Sequence, residues 1–375
     1  MIYYSTIIPL MLAVSLAFFI IPRILVVSVK KELMDEGAVV KDGKKKRIVP
    51  RLGGVSLFPI LVISVGLPLG CTFLLNDDFS TNGENMPYFV QFMMVLTGLT
   101  SMYLLGVMDD LVGVSLKSKL TIELIAAMLV PLSGLYIDHL DGLFGIYELS
   151  PWIGKPLTVI GVLYVTNTVS MLDDVDGLAS GMSMIAFGVL AVLCGIAEQY
   201  LLMMVCVAMV GVLGPFLFRN VLGSRIRWRK LFFGDTGGLT IGYLLAYITI
   251  AVSMLGGKAL PDGVGMACFG TLLIPMFDVM RVGITRLVNG RNVFRSGDHN
   301  HLHHRLAKTG LTPHQVLLTV LLITSFFICV NIAGVWLGID LSLLLVVDVA
   351  LWLVMQVVIM YFKNRNGEGR YAWTD

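Results

Sequence analysis

The chain has 375 residues, 57% of them hydrophobic and only 14% charged, with a mean hydropathy of +0.85. That excludes a soluble globular protein, which could not hide so much apolar surface, and points to a polytopic membrane protein. The formal net charge of +2 excludes little by itself; the placement of the charges says more.

Eleven apolar segments follow one another, near 4–29, 53–75, 87–107, 119–137, 156–172, 180–197, 199–218, 237–256, 264–285, 313–335 and 341–362. Each has the length of a membrane helix, so the fold expected is all-α with about eleven transmembrane helices. The expected organisation is one integral-membrane domain, 1–362, and a polar tail, 363–375. The first basic residue, Arg23, comes after the first apolar run and no small-residue cleavage site is evident, so this run reads as an uncleaved membrane helix. Pro87 and Pro313 stand at first helical turns. Thr312 with Gln315 fits a capping box, and Gly310 would end the polar helix before it. The stretch 138–155 reads as a short outer hairpin on the membrane surface. Only Glu198 separates the sixth and seventh segments. Cys71, Cys194, Cys206, Cys268 and Cys329 are scattered through apolar segments without CxxC or Cys/His spacing, and read as small core residues.

All but two of the 27 Lys and Arg residues, Lys155 and Lys258, fall on one set of alternate loops and termini. The positive-inside rule puts that set in the cytoplasm, the amino terminus outside and the carboxyl tail inside. Asp109, Asp110, Asp173, Asp174, Asp176, Asp235, Asp298 and the histidines at 299, 301, 303 and 304 all fall on the same side. Charge so close to hydrocarbon is costly unless solvated or paired, which makes these groups functional candidates. Asp348, in the last segment, reads as the only isolated deep carboxylate and as a partner for a neighbouring helix.

Each motif has a plain reading beside a chemical one. Asp109-Asp110 is either a solvated helix end or a pair that holds a hard cation or serves as a base. Asn167 to Gly181 is either a solvated loop with an aspartate cap or a carboxylate site. Phe232-Phe-Gly-Asp-Thr-Gly-Gly238 is either an ordinary turn or a helix start offering N–H groups to an anion, with Asp235 holding Mg²⁺ beside it. In Asp298-His-Asn-His-Leu-His-His-Arg305, His301 and His304 would share a helical face with His303 elsewhere. Arg291, Arg295 and Arg305 favour a phosphate ligand there over zinc, for which no HExxH pattern exists. Lys44, Lys45 and Lys46 read as topology determinants. In Pro50-Arg-Leu-Gly-Gly54 the paired glycines suit close backbone approach. Carboxylates, glycine turns and abundant cations on one face suit phosphoryl transfer between two anionic substrates, one of them a lipid phosphate.

In this combination the chain resembles the polyprenyl-phosphate N-acetylhexosamine-1-phosphate transferases, of the glycosyltransferase family 4 type. The matching strings are Pro50-Arg-Leu-Gly-Gly54, Gly106-Val-Met-Asp-Asp110, Asn167 through Leu178, Phe233-Gly-Asp-Thr-Gly237 and His301-Leu-His-His-Arg305, in family order. The resemblance implies an eleven-helix fold with a cytoplasmic site in a bacterial inner membrane. It implies transfer of a sugar 1-phosphate from UDP-N-acetylhexosamine to undecaprenyl phosphate, with release of UMP, at the start of a surface polymer such as O-antigen. Mg²⁺ would be required, with Mn²⁺ as a substitute. The bilayer is the surrounding partner, a homodimer is allowed and nucleic acid is not expected. Carried over, Asp109 and Asp110 are the acidic pair near the attacking lipid phosphate, with Asp109 the candidate base. Asp173 and Asp176 help build the nucleotide and metal site, and Asp235 with Asp173 ligates the metal. Arg51, Lys119, Asn167, His301, His303, His304 and Arg305 contact substrate. Ser170, Asp174 and Gly238 depart from the family pattern, in which Asn, Gly and Ser are usual, and 291–298 is one residue longer. These changes bear on the sugar donor more than on the reaction. The rivals are a transporter with an Asp/His ion path, disfavoured because the acids cluster at one face, and an inactive scaffold.

Overall fold

The computed structural model describes residues 2–30, 35–42, 45–49, 53–75, 86–172, 175–222, 231–255, 260–290 and 300–366. Arg51, Asp173, Asp174, Arg291, Arg295, Asp298, His299 and the tail from 367 lie outside these ranges. Helices α1 (Ile2–Lys30), α2 (Leu57–Leu75), α3 (Met86–Val112), α4 (Leu116–Leu132), α5 (Pro151–Ser170), α6 (Leu178–Ile196), α7 (Tyr200–Leu222) and α8 (Gly234–Ser253) follow the first eight apolar segments. The ninth segment is not one straight helix. It divides into α9 (Val264–Gly270) and α10 (Leu273–Val288), which meet at 67°. Pro275 explains the break: it has no N–H for the Thr271 carbonyl, so it fits only the first turn of a new helix. Tight i→i+3 bonds, Thr271 N to Cys268 O and Leu272 N to Phe269 O, close the corner. A short α11 (Leu302–Ala307) follows, then α12 (Pro313–Trp336) and α13 (Leu341–Asn366). Thr312 and Gln315 form the capping box expected of them.

Two small hairpins interrupt the all-α pattern. β1 (Asp35–Asp42) pairs with β2 (Lys45–Val49) across the basic cluster, where the sequence predicts no strand. β3 (His139–Leu143) and β4 (Ile146–Glu148) form the hairpin expected after α4. Phe144 and Gly145, both at positive φ, make the two-residue turn that twists with its strands. Trp152 and Tyr147 beside it are 90% and 70% exposed, as an interfacial aromatic belt requires.

By length and apolarity alone, eight of the described helices are able to cross a membrane, nine if the bent pair is one span. The sequence predicts eleven. The two left out are α4, with 17 residues, and α5. They are the shorter or more polar ones because they carry Lys119, Glu123, Asn167 and Ser170. Outward faces of the long helices expose Phe18, Leu322 and Leu353; in water such faces would aggregate, in a bilayer they face lipid. The chain is a multi-pass helical membrane protein.

Helix α8 is the axis of the bundle. Its apolar window is 83% buried, against 22% for α1 and for α13 at the periphery. It packs on α3, α5, α6 and α9. Small residues let these backbones touch, since lipid supplies no hydrophobic drive between helices. A Cβ on Gly106 of α3 would sit 2.4 Å from Thr236 Cα, and one on Gly238 of α8 would sit 2.6 Å from Ser170 Cα. Gly106→Ala is therefore expected to destabilise by about 1–3 kcal/mol, as overpacking does. A lowered unfolding temperature in detergent checks it, and an unchanged one contradicts the close α3–α8 contact.

Candidate active site

Four helix ends meet at one end of the bundle: the last turns of α3 and α5 and the first turns of α4 and α8. Lys119 is the hub. Its Nζ donates to Asp109 Oδ2 and to Asp235 Oδ1, both at 2.8 Å. Asp109 Oδ1 also accepts from Val114 N at 2.8 Å, which folds the α3–α4 turn back onto its own carboxylate. Ser170 Oγ donates to the same Asp235 Oδ1 at 3.0 Å. All three charged side chains are mostly shielded, between 14% and 31% exposed, so their attraction is stronger than at an open surface.

Asp110 has a different task from its neighbour. Its Oδ1 accepts from Asp235 N at 2.9 Å, and its Oδ2 from Thr236 N at 3.0 Å and Thr236 Oγ1 at 2.5 Å. The helix start that the sequence offers to an anion is thus occupied by an anion of the chain itself. Asp235 is not the cap of α8; it stands in the first turn, after Phe233 and a Gly234 at positive φ. Likewise the paired glycines of the basic segment approach backbone rather than ligand. A Cβ on Gly54 would lie 2.2 Å from Gly237 N, and one on Gly53 equally close to Phe232 O. These glycines lock the Phe-Gly-Asp-Thr-Gly turn from beneath.

The loop after α5 is held by a residue the motifs do not contain. Asn220 of α7, 2% exposed, accepts from Gly177 N and donates to Leu231 O at 2.6 Å, so one amide ties the Asp176-Gly177 turn to the strand of chain leading into α8. Asp176 is half-buried in that turn. Asn167 Nδ2 donates to Glu123 Oε2 at 2.7 Å and to Leu163 O at 3.0 Å.

The histidines form a second cluster at the start of α11, held by residues of α10 and α13. His301 is the cap of α11 in extended conformation, not a residue of the helix. The helical-face expectation therefore fails: His301 stacks on His303, ring centroids 5.7 Å apart, and His303 lies against His304 at 4.2 Å. Asp278 of α10 organises the segment. Its carboxylate accepts from His301 Nδ1 at 2.9 Å, from Leu302 N at 3.0 Å and from Arg281 Nη2 at 2.8 Å, while Arg281 also reaches Asn300 O. Arg305 points to Gln356 of α13. Burial draws its guanidinium below its ordinary value, with Arg281 pushing the same way, but arginine remains charged at any working pH.

Glu123 and Asp278 lie inside apolar segments at 0% and 4% exposure, so Asp348 is not the only deep carboxylate. Asp348 does have the expected helix partner, Asn331 Nδ2 at 3.0 Å. Carboxylates this deep are expensive unless paired, and that rule, applied to positions 123 and 278, would have found both. Among the described residues no three His, Cys, Asp or Glu side chains gather as a metal cage.

The glycosyl transferase family 4 model matches residues 92–253, from α3 through α8. An undecaprenyl-phosphate alpha-N-acetylglucosaminyl 1-phosphate transferase of Yersinia pestis is 27% identical over 326 residues, 85% of this chain and 81% of its own. A probable undecaprenyl-phosphate N-acetylglucosaminyl 1-phosphate transferase of Bacillus subtilis is 27% identical over 328 residues, 85% and 84%. Over residues 92–253 the chain is similar to glycosyl transferase family 4. A third relative, the undecaprenyl-phosphate alpha-N-acetylglucosaminyl 1-phosphate transferase of Escherichia coli K12, is 25% identical over 323 residues, 84% and 82%. The matched family region contains Asp109, Lys119, Glu123, Asn167, Ser170 and Asp235, that is, the whole of the first cluster. The histidine cluster lies beyond it, within the part these three longer matches can reach.

Proposed function

We propose that the chain transfers an N-acetylhexosamine 1-phosphate, GlcNAc 1-phosphate first among them, from a UDP-sugar to undecaprenyl phosphate and releases UMP. The site faces the cytoplasm of a bacterial inner membrane, and the step opens a cell-surface polysaccharide pathway. The observation that carries this reading is the Asp109–Lys119–Asp235 network at the membrane end of four helices, in a chain whose relatives bear transferase names.

Two carboxylate oxygens converge on one cation there, which is the donor chemistry Mg²⁺ takes: one or two carboxylates, with substrate phosphates completing the shell. Asp235 would hold the ion, and Asp173, outside the described residues, is the second ligand that the family resemblance implies. When bound, the ion neutralises the diphosphate and supports the leaving phosphate. The chain's own residues do the rest. Lys119 stabilises phosphate charge between Asp109 and Asp235. Asp109 is the base that takes the proton of the lipid phosphate. A lipid phosphate oxygen then bonds to the β-phosphorus, the bridge to the α-phosphate breaks, and its electron pair leaves with UMP. Asp110 holds the start of α8 so that Asp235 stands in register. His301, His303 and His304, set by Asp278, orient the diphosphate. Catalysis of this kind is positioning and charge neutralisation.

The test is UMP release by the purified chain with undecaprenyl phosphate, Mg²⁺ and a panel of UDP-N-acetylhexosamines. Release that needs the lipid and stops with EDTA is expected. Release of UDP in place of UMP would overturn the reading, because it would mean transfer of the sugar without its phosphate.

A further inference from the structure

Asn167 spends both of its amide hydrogens inside the protein, one on Glu123 Oε2 and one on Leu163 O. Both partners accept from the amide nitrogen, a carboxyl oxygen and a carbonyl, so the nitrogen faces them and the oxygen faces away. Asn167 is only partly buried, in the last turn of α5, one turn before the Ser170 that touches Asp235. Its Oδ1 is what remains for a ligand.

Glu123 is the unusual half of the pair. It is fully buried, and its second oxygen, Oε1, has no hydrogen-bond partner. It stands one helical turn after Lys119, on the same face of α4. A leucine would fill that place between α4 and α5 at far lower cost, because a buried carboxylate with an open oxygen is unfavourable. What Glu123 does that leucine cannot is pin the Asn167 nitrogen.

We infer that Glu123 is a positioning residue that turns Asn167 into an acceptor-only subsite, one that reads an O–H or N–H of the sugar nucleotide and rejects a phosphate oxygen. This deepens the proposed transferase reading and rests on it. Without Glu123 the amide is held by the Leu163 carbonyl alone, its nitrogen turns outward in part of the population, and the acceptor is lost in that part. The chemistry recognised is a hydrogen-bond donor, which a uridine nucleotide carries on its ribose and base and an N-acetylhexosamine on its hydroxyls and amide.

The experiment compares wild type, Glu123→Leu, Glu123→Gln, Asn167→Ala and the Glu123→Leu/Asn167→Ala double variant in the full chain. Two quantities are read: the dissociation constants of UMP and of UDP-GlcNAc by calorimetry, and donor KM, lipid KM and kcat. Glu123→Leu is expected to weaken UDP-GlcNAc binding about tenfold, the worth of one good hydrogen bond. Donor KM should rise in step, with lipid KM unmoved. Glu123→Gln should recover most of this, because its amide oxygen still accepts from Asn167. The double variant should be no worse than Asn167→Ala, since the two residues act as one unit. A loss with UMP as well as UDP-GlcNAc assigns the subsite to the nucleoside; a loss with UDP-GlcNAc alone assigns it to the sugar. Effects of Glu123→Leu and Asn167→Ala that multiply, or a Glu123→Leu loss spread over both KM values and kcat with no rescue by Glu123→Gln, would overturn the inference. If wild type binds the nucleotides but transfers nothing, the transferase reading fails while the binding comparison still decides the subsite. If it binds neither, both fall.

Discussion

Asp235→Asn is expected to lower kcat for UMP release by about 10²–10³-fold, the range seen when one preorganised electrostatic group is removed. The unfolding temperature should stay within about 3 °C, since an asparagine oxygen still accepts from Ser170 and Lys119. The size of the effect follows from what is lost: not a contact but a charge, where two carboxylates and an ammonium converge. Kinetics and thermal unfolding on the same preparation check it. A loss of less than about fivefold would take Asp235 out of the reaction.

Asp110→Ala is expected to do the opposite. Three donors on the first turn of α8 converge on Asp110, and unsatisfied donors cost about 1–3 kcal/mol each. Water reaches some of them, so a loss on the order of 3 kcal/mol is expected. Asp109→Ala, which breaks an ion pair and one turn bond, should cost less stability and more activity. Adjacent aspartates would then divide the work, Asp109 with the proposed reaction and Asp110 with the fold. Equal unfolding temperatures for the two variants would contradict that division.

Much of this was legible in the sequence because charge next to hydrocarbon is rare. Asp109, Lys119 and Asp235 stand at the ends of apolar runs, and the structure joins them directly. The hairpin after α4 and the capping box of α12 followed from local chemistry, and the neighbouring-helix partner expected for Asp348 is Asn331 of α12. Other features depend on contacts between distant elements. Which of two adjacent aspartates caps α8 is settled by the approach of α3, which Gly106 permits. The roles of Glu123, Asn220 and Asp278 come from partners 44, 43 and 23 positions away. The histidines were visible as a string, but their geometry was not, because His301 lies before the helix and not within it. The bend at Thr271–Leu272 was hidden inside a run that is apolar on both sides of it; Pro275 was the available signal.

The most direct test of the central claim is the mass of the lipid product formed from undecaprenyl phosphate, Mg²⁺ and the preferred UDP-N-acetylhexosamine. The account predicts a lipid carrying the sugar through a diphosphate, one phosphate from the acceptor and one from the donor. A lipid carrying the sugar through a single phosphate would contradict it.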